Sequence, residues 1–232
     1  MTKKNIFDTG WEIFDTVDIN SLNNLRNDIY SEIKKEFNLE EDNPEIGLNN
    51  FHKLSKNISE TDLNQKKINV IGKISSNKKL VDLIFNSYSK HILNFLGNDL
   101  LVQKTINLVI QMPKDRNPTI PHRDAPPNSY FELVLWIPLV NCKETKSMYL
   151  IDMTSTKESL DKLDLEPENW NNFLKNFEGK KVHPEVKFGQ SVFFLPYIYH
   201  GSDFNKTDET RFSLNIRFKG LFSPSGRKFP LH

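Results

Sequence analysis

Two histidines and one aspartate are the residues of this chain best suited to chemistry. His122 and Asp124 are separated by one residue, and His200 lies far downstream. Side chains two residues apart in an extended segment leave the same side of the backbone, so His122 and Asp124 can contact one ion. Two histidines and a carboxylate on one face of a metal leave three positions open, an arrangement that suits Fe(II) and its reaction with oxygen. The pattern therefore predicts an iron site.

The tripeptide His122-Arg123-Asp124 is a weak signal by itself, because a surface loop can carry the same residues. It also matches the catalytic loop of protein kinases. A kinase would have Asn five residues after the Asp, where this chain has Ser129, and the sequence contains neither a Gly-rich loop nor Asp-Phe-Gly. The kinase hypothesis is therefore rejected, and the metal hypothesis depends on residues elsewhere in the chain.

Arg211 and Ser213 follow the second histidine at a spacing that places them near the predicted metal. Residues 201 to 210 are rich in Ser, Asp, Asn and Lys, so we predict a hairpin between a strand ending at His200 and one beginning at Arg211. Neighbouring strands lie about 4.8 Å apart, so His200 and Arg211 would face one interior. Ser213 would share the face of Arg211.

An arginine inside such a core needs a negatively charged partner, because an unpaired buried charge loses its solvation. The loop offers three internal carboxylates, Asp203, Asp208 and Glu209. The sequence places none of them clearly at the guanidinium. A bound dicarboxylate is the sharper hypothesis, since the planar guanidinium can hold a carboxylate through two parallel hydrogen bonds.

The elements that must position these residues begin with helices. Apolar residues at steps of three and four predict a helix after residue 18, with Asn20 or Ser21 as its N-cap: Leu22, Leu25, Ile29, Ile33 and Phe37. A second helix is predicted over residues 77 to 96, ended by Gly97. Residues 40 to 76 are polar and predict a connector, with a possible short helix after Thr61.

From residue 100 the sequence predicts short strands, over 101 to 112, 130 to 140, 146 to 153, 186 to 199 and 211 to 218. A helical insert at 154 to 181 interrupts them. The predicted fold class is mainly β with α, a double-stranded β-helix or jelly-roll barrel with N-terminal helices packed on one sheet. An immunoglobulin-like sandwich competes, but it gives the helices no role. We predict one domain over 1–232, with helical support at 1–99, the core at 100–219 and a coil tail at 220–232.

Composition excludes several classes of partner. The 232 residues contain 31 Lys and Arg against 30 Asp and Glu, a net charge of +1, so no nucleic acid or anionic membrane is expected. The one cysteine, Cys142, lies outside any zinc-like cluster, and it fits a reducing compartment. No apolar leader or membrane-length stretch is present. We predict a soluble, cytoplasmic protein.

The combined residues resemble a known signature. His122-x-Asp124, His200 and Arg211-x-Ser213 resemble the pattern of the Fe(II)/2-oxoglutarate-dependent dioxygenases, and the eleven-residue step from His200 to Arg211 matches the phytanoyl-CoA hydroxylase-like branch. The resemblance covers about residues 101 to 218. Residues 118 to 126 and 146 to 149 also resemble a smaller set of such oxygenases, encoded among bacterial surface-carbohydrate biosynthesis genes.

This resemblance implies roles for individual residues. His122, Asp124 and His200 would bind Fe(II), and 2-oxoglutarate would chelate the iron and place its far carboxylate on Arg211, with help from Ser213. Dioxygen would take the remaining position. The implied reaction hydroxylates an unactivated C–H bond of a small molecule, with desaturation or ring closure as variants. The narrower resemblance implies a sugar nucleotide or glycan precursor as the substrate.

Four further residues are candidates for ligand contacts. Gln111 could hydrogen-bond the C1 carboxylate of 2-oxoglutarate or the substrate, although a polar residue at a strand end is equally ordinary. Trp136 could stack on a sugar ring or base, or belong to the core. Arg123 should point away from the iron and could meet an anionic substrate group or form a surface salt bridge. Arg217 shares strand parity with Arg211 and could bind phosphate or lie at an edge.

Two alternative functions stay open. A cupin-like metal enzyme would bind its substrate directly and would not use 2-oxoglutarate, which leaves Arg211 and Ser213 without a role. A non-catalytic ligand-binding jelly roll would not need all three metal ligands intact. Residues 40 to 76 and the insert at 154 to 181 are where lids over the site are expected, so substrate choice would be decided there.

Overall fold

The structure is a computed structural model, which describes residues 5–115, 118–125, 129–165, 174–175 and 177–224. Seven helices lie in these ranges: α1 (Ile6–Thr9), α2 (Ile19–Phe37), α3 (Pro44–Asn49), α4 (Phe51–Leu54), α5 (Glu60–Ser75), α6 (Lys78–Leu96) and α7 (Met153–Leu165). The nine strands are β1 (Trp11–Asp15), β2 (Leu100–Val102), β3 (Asn107–Gln111), β4 (Thr119–His122), β5 (Glu132–Pro138), β6 (Tyr149–Leu150), β7 (Gln190–Phe194), β8 (His200–Ser202) and β9 (Arg211–Gly220).

Helices α2 and α6 confirm the two long amphipathic patterns. The five apolar residues that predicted α2 are all buried. The N-cap is Asp18, two residues before the nearer predicted cap, Asn20, because the Asp18 carboxylate accepts hydrogen bonds from the backbone N–H groups of Asn20 and Ser21. Helix α6 ends at Gly97, whose φ of 80° lies in the left-handed region.

The prediction of a connector over residues 40 to 76 is wrong, although the short helix predicted after Thr61 is confirmed as part of a longer one. Helices α3 and α4 occupy its first half, and α5 fills its second half with 16 residues. Only Val70 and Ile74 of α5 are fully buried, so its apolar stripe is too sparse to stand out in the sequence. Helix α5 instead packs along α2 and against β3. Tertiary contacts therefore stabilise a helix that the local pattern barely specifies.

Two antiparallel sheets hold the strands. The large sheet has the order β1-β7-β5-β9-β2, and β3 pairs with the N-terminal half of β9. The small sheet has the order β4-β8-β6. Strand β1, which the sequence did not predict, lies at the edge of the large sheet beside β7. Within the described ranges the helices hold more residues than the strands, so "mainly β" is corrected to a mixed α and β fold, and closure into a jelly-roll barrel stays a prediction.

The predicted hairpin between His200 and Arg211 is wrong. Strand β8 pairs with β4 and β6, whereas β9 pairs with β5, β3 and β2. His200 and Arg211 therefore lie in different sheets. The ten-residue β9 already has partners on both sides in the large sheet, so its edges are not available to β8.

Strand β9 separates the core from the cavity between the sheets. Its even-numbered residues are buried against the helices, where Phe212 meets Phe51 and Phe218 meets Phe85 at ring-centroid distances of 5.3 and 6.4 Å. Successive strand residues point to opposite faces, so its odd-numbered residues face away from this core. The division of the chain at residue 99 stays a prediction.

Helix α7 confirms the beginning of the predicted helical insert. Trp170 and Phe173, which contributed to that pattern, lie outside the described residues, and so does most of the predicted coil tail. None of the helices in the described ranges has both the length and the apolar character needed to cross a bilayer.

Candidate metal centre

His122 and His200 are direct cross-strand neighbours in the small sheet, at the end of β4 and the start of β8. Their ring centroids are 4.3 Å apart. Asp124 follows β4 and turns its carboxylate inward, so that Oδ2 lies 3.8 Å from Nε2 of His200. One ligand atom from each of the three residues lies within 4.8 Å of the others. The structure thus brings together all three residues that the sequence predicted as metal ligands.

Backbone carbonyl groups fix the orientation of both imidazoles. Nδ1 of His122 lies 3.0 Å from the carbonyl oxygen of Ile120, and Nδ1 of His200 lies 3.1 Å from that of Ile198. A proton on each Nδ1 makes these contacts hydrogen bonds and leaves Nε2 with its lone pair. Metal-binding histidines are commonly held in this way by a hydrogen bond from the other ring nitrogen.

The electrostatic environment keeps His200 neutral at neutral pH. Burial lowers the pKa of His200 to about 4, and the nearby His122 acts in the same direction. Asp124 opposes the shift without reversing it. A neutral imidazole is the form that binds a metal, so His200 needs to lose no proton before it does so.

Gly201 allows the two histidine strands to approach each other. A Cβ atom at this position would lie 2.4 Å from the carbonyl oxygen of Thr119 and 2.3 Å from the hydroxyl oxygen of Tyr149. The Tyr149 hydroxyl donates to that same carbonyl oxygen at 3.0 Å. Because β4 and β8 carry one histidine each, this close contact sets the distance between the two imidazoles.

A cavity of about 230 Å³ connects the three ligands with the inner face of β9. The inner face presents a polar row at alternate positions, Arg211, Ser213, Asn215 and Arg217, and three of its four members line the cavity. Its other lining residues come from strands of both sheets and from the residue before β6: Asn107, Val109, Thr119, Trp136, Met148, Gly201 and Ser202. Arg211 and the metal ligands therefore share one cavity although they lie in different sheets.

Arg211 is buried and forms no ion pair with a described carboxylate, although the charge of Asp115 acts to raise the pKa of its guanidinium. It donates from Nη2 to the Ser202 hydroxyl at 2.9 Å and from Nη1 to the Lys146 carbonyl oxygen at 3.5 Å, while its Nε has no partner among the described residues. Burial lowers its pKa to about 10, which leaves it charged at neutral pH.

The carboxylates considered as internal partners of Arg211 are engaged elsewhere or make no ion pair with it. Asp203 pairs with Lys181 and His183, and Glu209 pairs with Lys146. No described ion pair joins Asp208 to Arg211 either. The guanidinium is thus a buried cation beside a cavity, which is the condition for binding an anion from solution.

The remaining predicted ligand residues have different surroundings. Gln111 lies opposite Arg211 in the β3–β9 register, but its amide nitrogen donates to the Asp203 carbonyl oxygen at 2.7 Å. Ser213 is buried, and within the described structure its hydroxyl has no hydrogen-bond partner. Trp136 lines the cavity while being almost fully buried, so the core and cavity predictions both describe it.

The two other predicted arginines face in different directions. Arg123 points away from the metal ligands, as expected, and its guanidinium lies over the rings of Tyr197 and Tyr199 at 5.8 and 5.3 Å. Arg217 faces inward and pairs with Asp124, with Nη2 at 2.8 Å from Oδ1. The partner of Arg217 is therefore a protein carboxylate, and phosphate binding there stays a prediction.

The cavity residues that the sequence did not predict include Asn215 and Ser202. Asn215 continues the alternate row of β9 between Ser213 and Arg217, and its Oδ1 atom is buried without a partner in the described structure. Asn215 could have been predicted, because it follows Ser213 by two residues and so occupies the same face of the strand as Arg211 and Ser213. Ser202, which holds Arg211, had no such signal, because their contact joins two sheets.

Several solved structures have a similar fold. The non-haem monooxygenase ThoJ, solved as a nickel complex, is 13% identical, with a TM-score of 0.58 over 98% of this chain and 86% of ThoJ. SnoK, a non-haem α-ketoglutarate-dependent carbocyclase from nogalamycin biosynthesis, is 14% identical, with a TM-score of 0.56 over 98% of this chain and 91% of SnoK. The chain therefore shares its fold with these two proteins.

A third structure with the same fold is EctD from S. alaskensis, solved with bound Fe. It is 12% identical, with a TM-score of 0.53 over 97% of this chain and 79% of EctD. EctD has also been solved with 2-oxoglutarate and 5-hydroxyectoine. No protein-family model matches the sequence, and no curated protein matches it. At these identities the likeness establishes the fold, and function must be argued from the site.

Proposed function

We propose that this protein is an Fe(II)- and 2-oxoglutarate-dependent oxygenase that hydroxylates a C–H bond of a small molecule. The single observation that carries the proposal is the buried charge of Arg211, which shares a cavity with His122, Asp124 and His200 and pairs with no described carboxylate. A metal site alone does not account for this charge. A dicarboxylate that spans from the metal to the guanidinium accounts for both.

The donor set fits ferrous iron. Two neutral imidazoles and one carboxylate favour Fe(II) among the divalent metals that leave open positions for other ligands. When bound, the iron and 2-oxoglutarate supply the oxidising chemistry, with dioxygen as the oxidant and succinate and carbon dioxide as products.

The residues of this chain bind and orient the reactants. Ile120 and Ile198 hold the imidazoles through their carbonyl oxygens, so that Nε2 of each is presented to the metal. Ser202 turns the Arg211 guanidinium toward the cavity, leaving its Nε without a partner among the described residues. The amide oxygen of Asn215, which lines the same cavity, also lacks a described partner, and we assign it to a ligand contact there; the buried Ser213 hydroxyl, likewise without a described partner, lies between Arg211 and Asn215 on the same face of β9.

For the substrate we propose a nucleotide-linked sugar or another glycan precursor, which rests on the resemblance of residues 118 to 126 and 146 to 149 described above. Trp136 offers an aromatic face for a sugar ring, and Asn215 offers a hydrogen-bonding amide. Succinate release from 2-oxoglutarate in the presence of candidate nucleotide sugars tests this part of the proposal.

The direct test is an anaerobic titration with Fe(II) and then 2-oxoglutarate, followed by visible absorption. We expect a weak metal-to-ligand charge-transfer band that requires protein, Fe(II) and 2-oxoglutarate together. Arg211→Met should abolish the band while retaining Fe(II), and His200→Ala should lose the metal. Arg26→Met is the matched control, because Arg26 lies over the ring of Phe188, away from the cavity.

Each failure points to a different alternative. If folded wild-type protein binds Fe(II) but gives no band with 2-oxoglutarate, the cosubstrate assignment is wrong and the cupin-like enzyme takes its place. If the protein binds no Fe(II), a non-catalytic ligand-binding protein is the better description.

A further inference from the structure

A second cavity adjoins the metal cavity and has no role in the function proposed above. It measures about 240 Å³ and is lined by side chains from β2, the residue after β2, the start of β5 and the end of β9. Arg217 lines both cavities, so the two meet at this side chain. We call the second cavity the outer pocket.

The strand register places the outer pocket on the side of the metal ligands away from Arg211. Arg211 begins β9, and Arg217, further along the strand, contacts Asp124. Lys219 follows Arg217 on the same face. Glu132 lies opposite Lys219 in the β5–β9 register, so it shares this face of the sheet. A 2-oxoglutarate held between Arg211 and the metal therefore leaves the outer pocket to the substrate.

The Glu132 carboxylate has an oxygen that lacks a hydrogen-bond donor. Its Oε2 atom is buried and has no hydrogen-bond partner in the described part of the chain. Nε of Arg217 is 4.0 Å away, and that guanidinium donates instead to Asp124 and to the side-chain oxygen of Gln103. Burial raises the pKa of the Glu132 carboxyl, although a hydrogen bond from the backbone N–H of Ser129 opposes this shift. Such an oxygen calls for a donor from a ligand.

The surroundings of Glu132 select a neutral donor. A carboxylate only accepts hydrogen bonds, and its terminal torsion is broad enough for a small rotation to turn Oε2 into the outer pocket. A cationic ligand would meet Arg217 and Lys219, whereas an anionic one would meet Glu132. A hydroxyl group avoids both conflicts, because it donates to the carboxylate and accepts from the ammonium. Leu101 and Val102, 44% and 43% exposed, add an apolar wall for the C–H face of a ring.

We propose that the outer pocket is a substrate subsite for a hydroxyl-bearing ring, and that Glu132 selects this ring through Oε2. This inference rests on the proposed function and extends it. The reacting carbon must lie in the metal cavity, so the ring in the outer pocket is a neighbouring unit of the same molecule. The substrate therefore has at least two units, and the second is a sugar ring or the ribose of a nucleotide.

Saturation-transfer difference NMR on the full chain tests this inference with three defined compounds. Methyl α-D-glucopyranoside represents a sugar unit and methyl β-D-ribofuranoside represents ribose, while 2-methoxytetrahydropyran has a ring and a methoxy group without hydroxyls. We expect the wild type to bind at least one glycoside, and the tighter of the two identifies the ring. Glu132→Gln should weaken that binding by about tenfold or more, as expected for a lost hydrogen bond to a charged group. Failure of both glycosides to bind, equal binding by Glu132→Gln, or equal binding of 2-methoxytetrahydropyran would overturn the inference.

Two further variants guard against a general loss of structure. Glu12→Gln makes the same chemical change on the edge strand β1, and Glu12 lines neither cavity, so its glycoside binding should equal that of the wild type. Leu101→Trp fills the outer pocket from its exposed wall without entering the core. It should abolish glycoside binding and retain the charge-transfer band with Fe(II) and 2-oxoglutarate. Normal glycoside binding in Leu101→Trp would contradict the assignment of the ring to this pocket.

Bound Mn(II) shows whether the ring lies beside the metal. A ring in the outer pocket would lie on the order of 10 Å from the metal, since two residues of strand span about 7 Å, so Mn(II) should speed the relaxation of its protons. A bound glycoside without this effect would overturn the inference. A charge-transfer band without glycoside binding would refute the inference alone. Glycoside binding that depends on Glu132, in a protein that gives no band, would refute the proposed function while retaining the ligand of the outer pocket.

Discussion

His122 and His200 are paired across two strands of one small sheet, with their ring centroids 4.3 Å apart, although 78 positions of the sequence separate them. The pairing places both imidazoles on a rigid element, and the carbonyl oxygens two residues before each histidine fix the ring orientation. The metal centre is therefore preorganised, and its properties can be tested without knowing the substrate.

The stability of the metal-free protein should fall as the pH drops from about 6.5 to about 4. Burial lowers the pKa of His200 to about 4, from its ordinary value of 6.5. Between these values the unfolded chain binds a proton that the folded chain excludes, so acidification favours unfolding. Urea unfolding with a chelator present, at several pH values in this window, measures the effect. His200→Gln removes the titrating imidazole, so the free energy of unfolding should depend less on pH. If it changes with pH as steeply as in the wild type, His200 is not the cause of the dependence.

Gly201→Ala should weaken metal binding more than it weakens the fold. The added methyl group would lie 2.4 Å from the carbonyl oxygen of Thr119, so β4 and β8 must move apart, and their histidines with them. We expect at least a tenfold loss in Co(II) affinity, measured by calorimetry. Losses of about this size follow when the residues that orient a metal ligand are changed. If Gly201→Ala binds Co(II) as tightly as the wild type, β4 and β8 can accommodate the methyl group without moving the two histidines apart.

Gly72→Ala provides the control for the previous substitution. Gly72 lies within α5, and no atom lies within 4 Å of the position its Cβ would take. Alanine loses less conformational freedom than glycine on entering a helix, so this variant should gain roughly 0.5–1 kcal/mol in the free energy of unfolding. Its metal affinity should equal that of the wild type.

Glu209→Gln should destabilise the protein more than Lys146→Met does. The Lys146 ammonium is buried and contacts Glu209 at 2.6 Å and Asn49 at 2.7 Å, whereas the Glu209 side chain is 47% exposed. Neutralising Glu209 leaves a buried charge without its ionic partner, while removing Lys146 leaves a carboxylate that water can solvate. We expect a loss of about 1–3 kcal/mol in Glu209→Gln, reduced by the exposure of the pair. Chemical denaturation measures the free energy of unfolding of both variants, and a larger loss in Lys146→Met than in Glu209→Gln would contradict this account.

Tryptophan fluorescence should report metal binding directly. Trp136 lines the cavity that contains the three metal ligands, and Trp11 lies on the edge strand β1. Quenching by a bound transition metal falls steeply with distance, so Co(II) should quench Trp136 in preference to Trp11. Trp136→Phe should remove most of the Co(II)-dependent change, while Trp11→Phe should preserve it. Equal quenching in the two variants would place the metal elsewhere.

Local patterns were sufficient for part of this protein. The buried stripe of α2, the end of α6 at Gly97 and the proximity of His122 and Asp124 follow from side-chain periodicity and backbone preference, which depend on neighbours in the sequence. The same rule accounts for the polar row of β9, which alternates with the buried residues Phe212 and Phe218.

Strand pairing could not be predicted in this way. Sequence analysis placed His200 beside Arg211 because a polar loop joins them, but β8 and β9 belong to different sheets. Short strands with similar patterns can pair in many ways, and the choice depends on packing across the whole domain. The length of helix α5, predicted only as a short helix after Thr61, was underestimated for a related reason, since its few buried residues gain their stabilisation from α2 and β3.

The sequence by itself determined which side chains are available for chemistry and which faces of their strands they occupy, because both are set within a few residues of chain. Only the tertiary structure decided what those side chains meet: His122 opposite His200, Ser202 against Arg211, and Arg217 on Asp124. The last of these contacts joins positions 93 residues apart. Such contacts form because burial leaves each charge or polar group few other partners, and that condition exists only once the two sheets have come together.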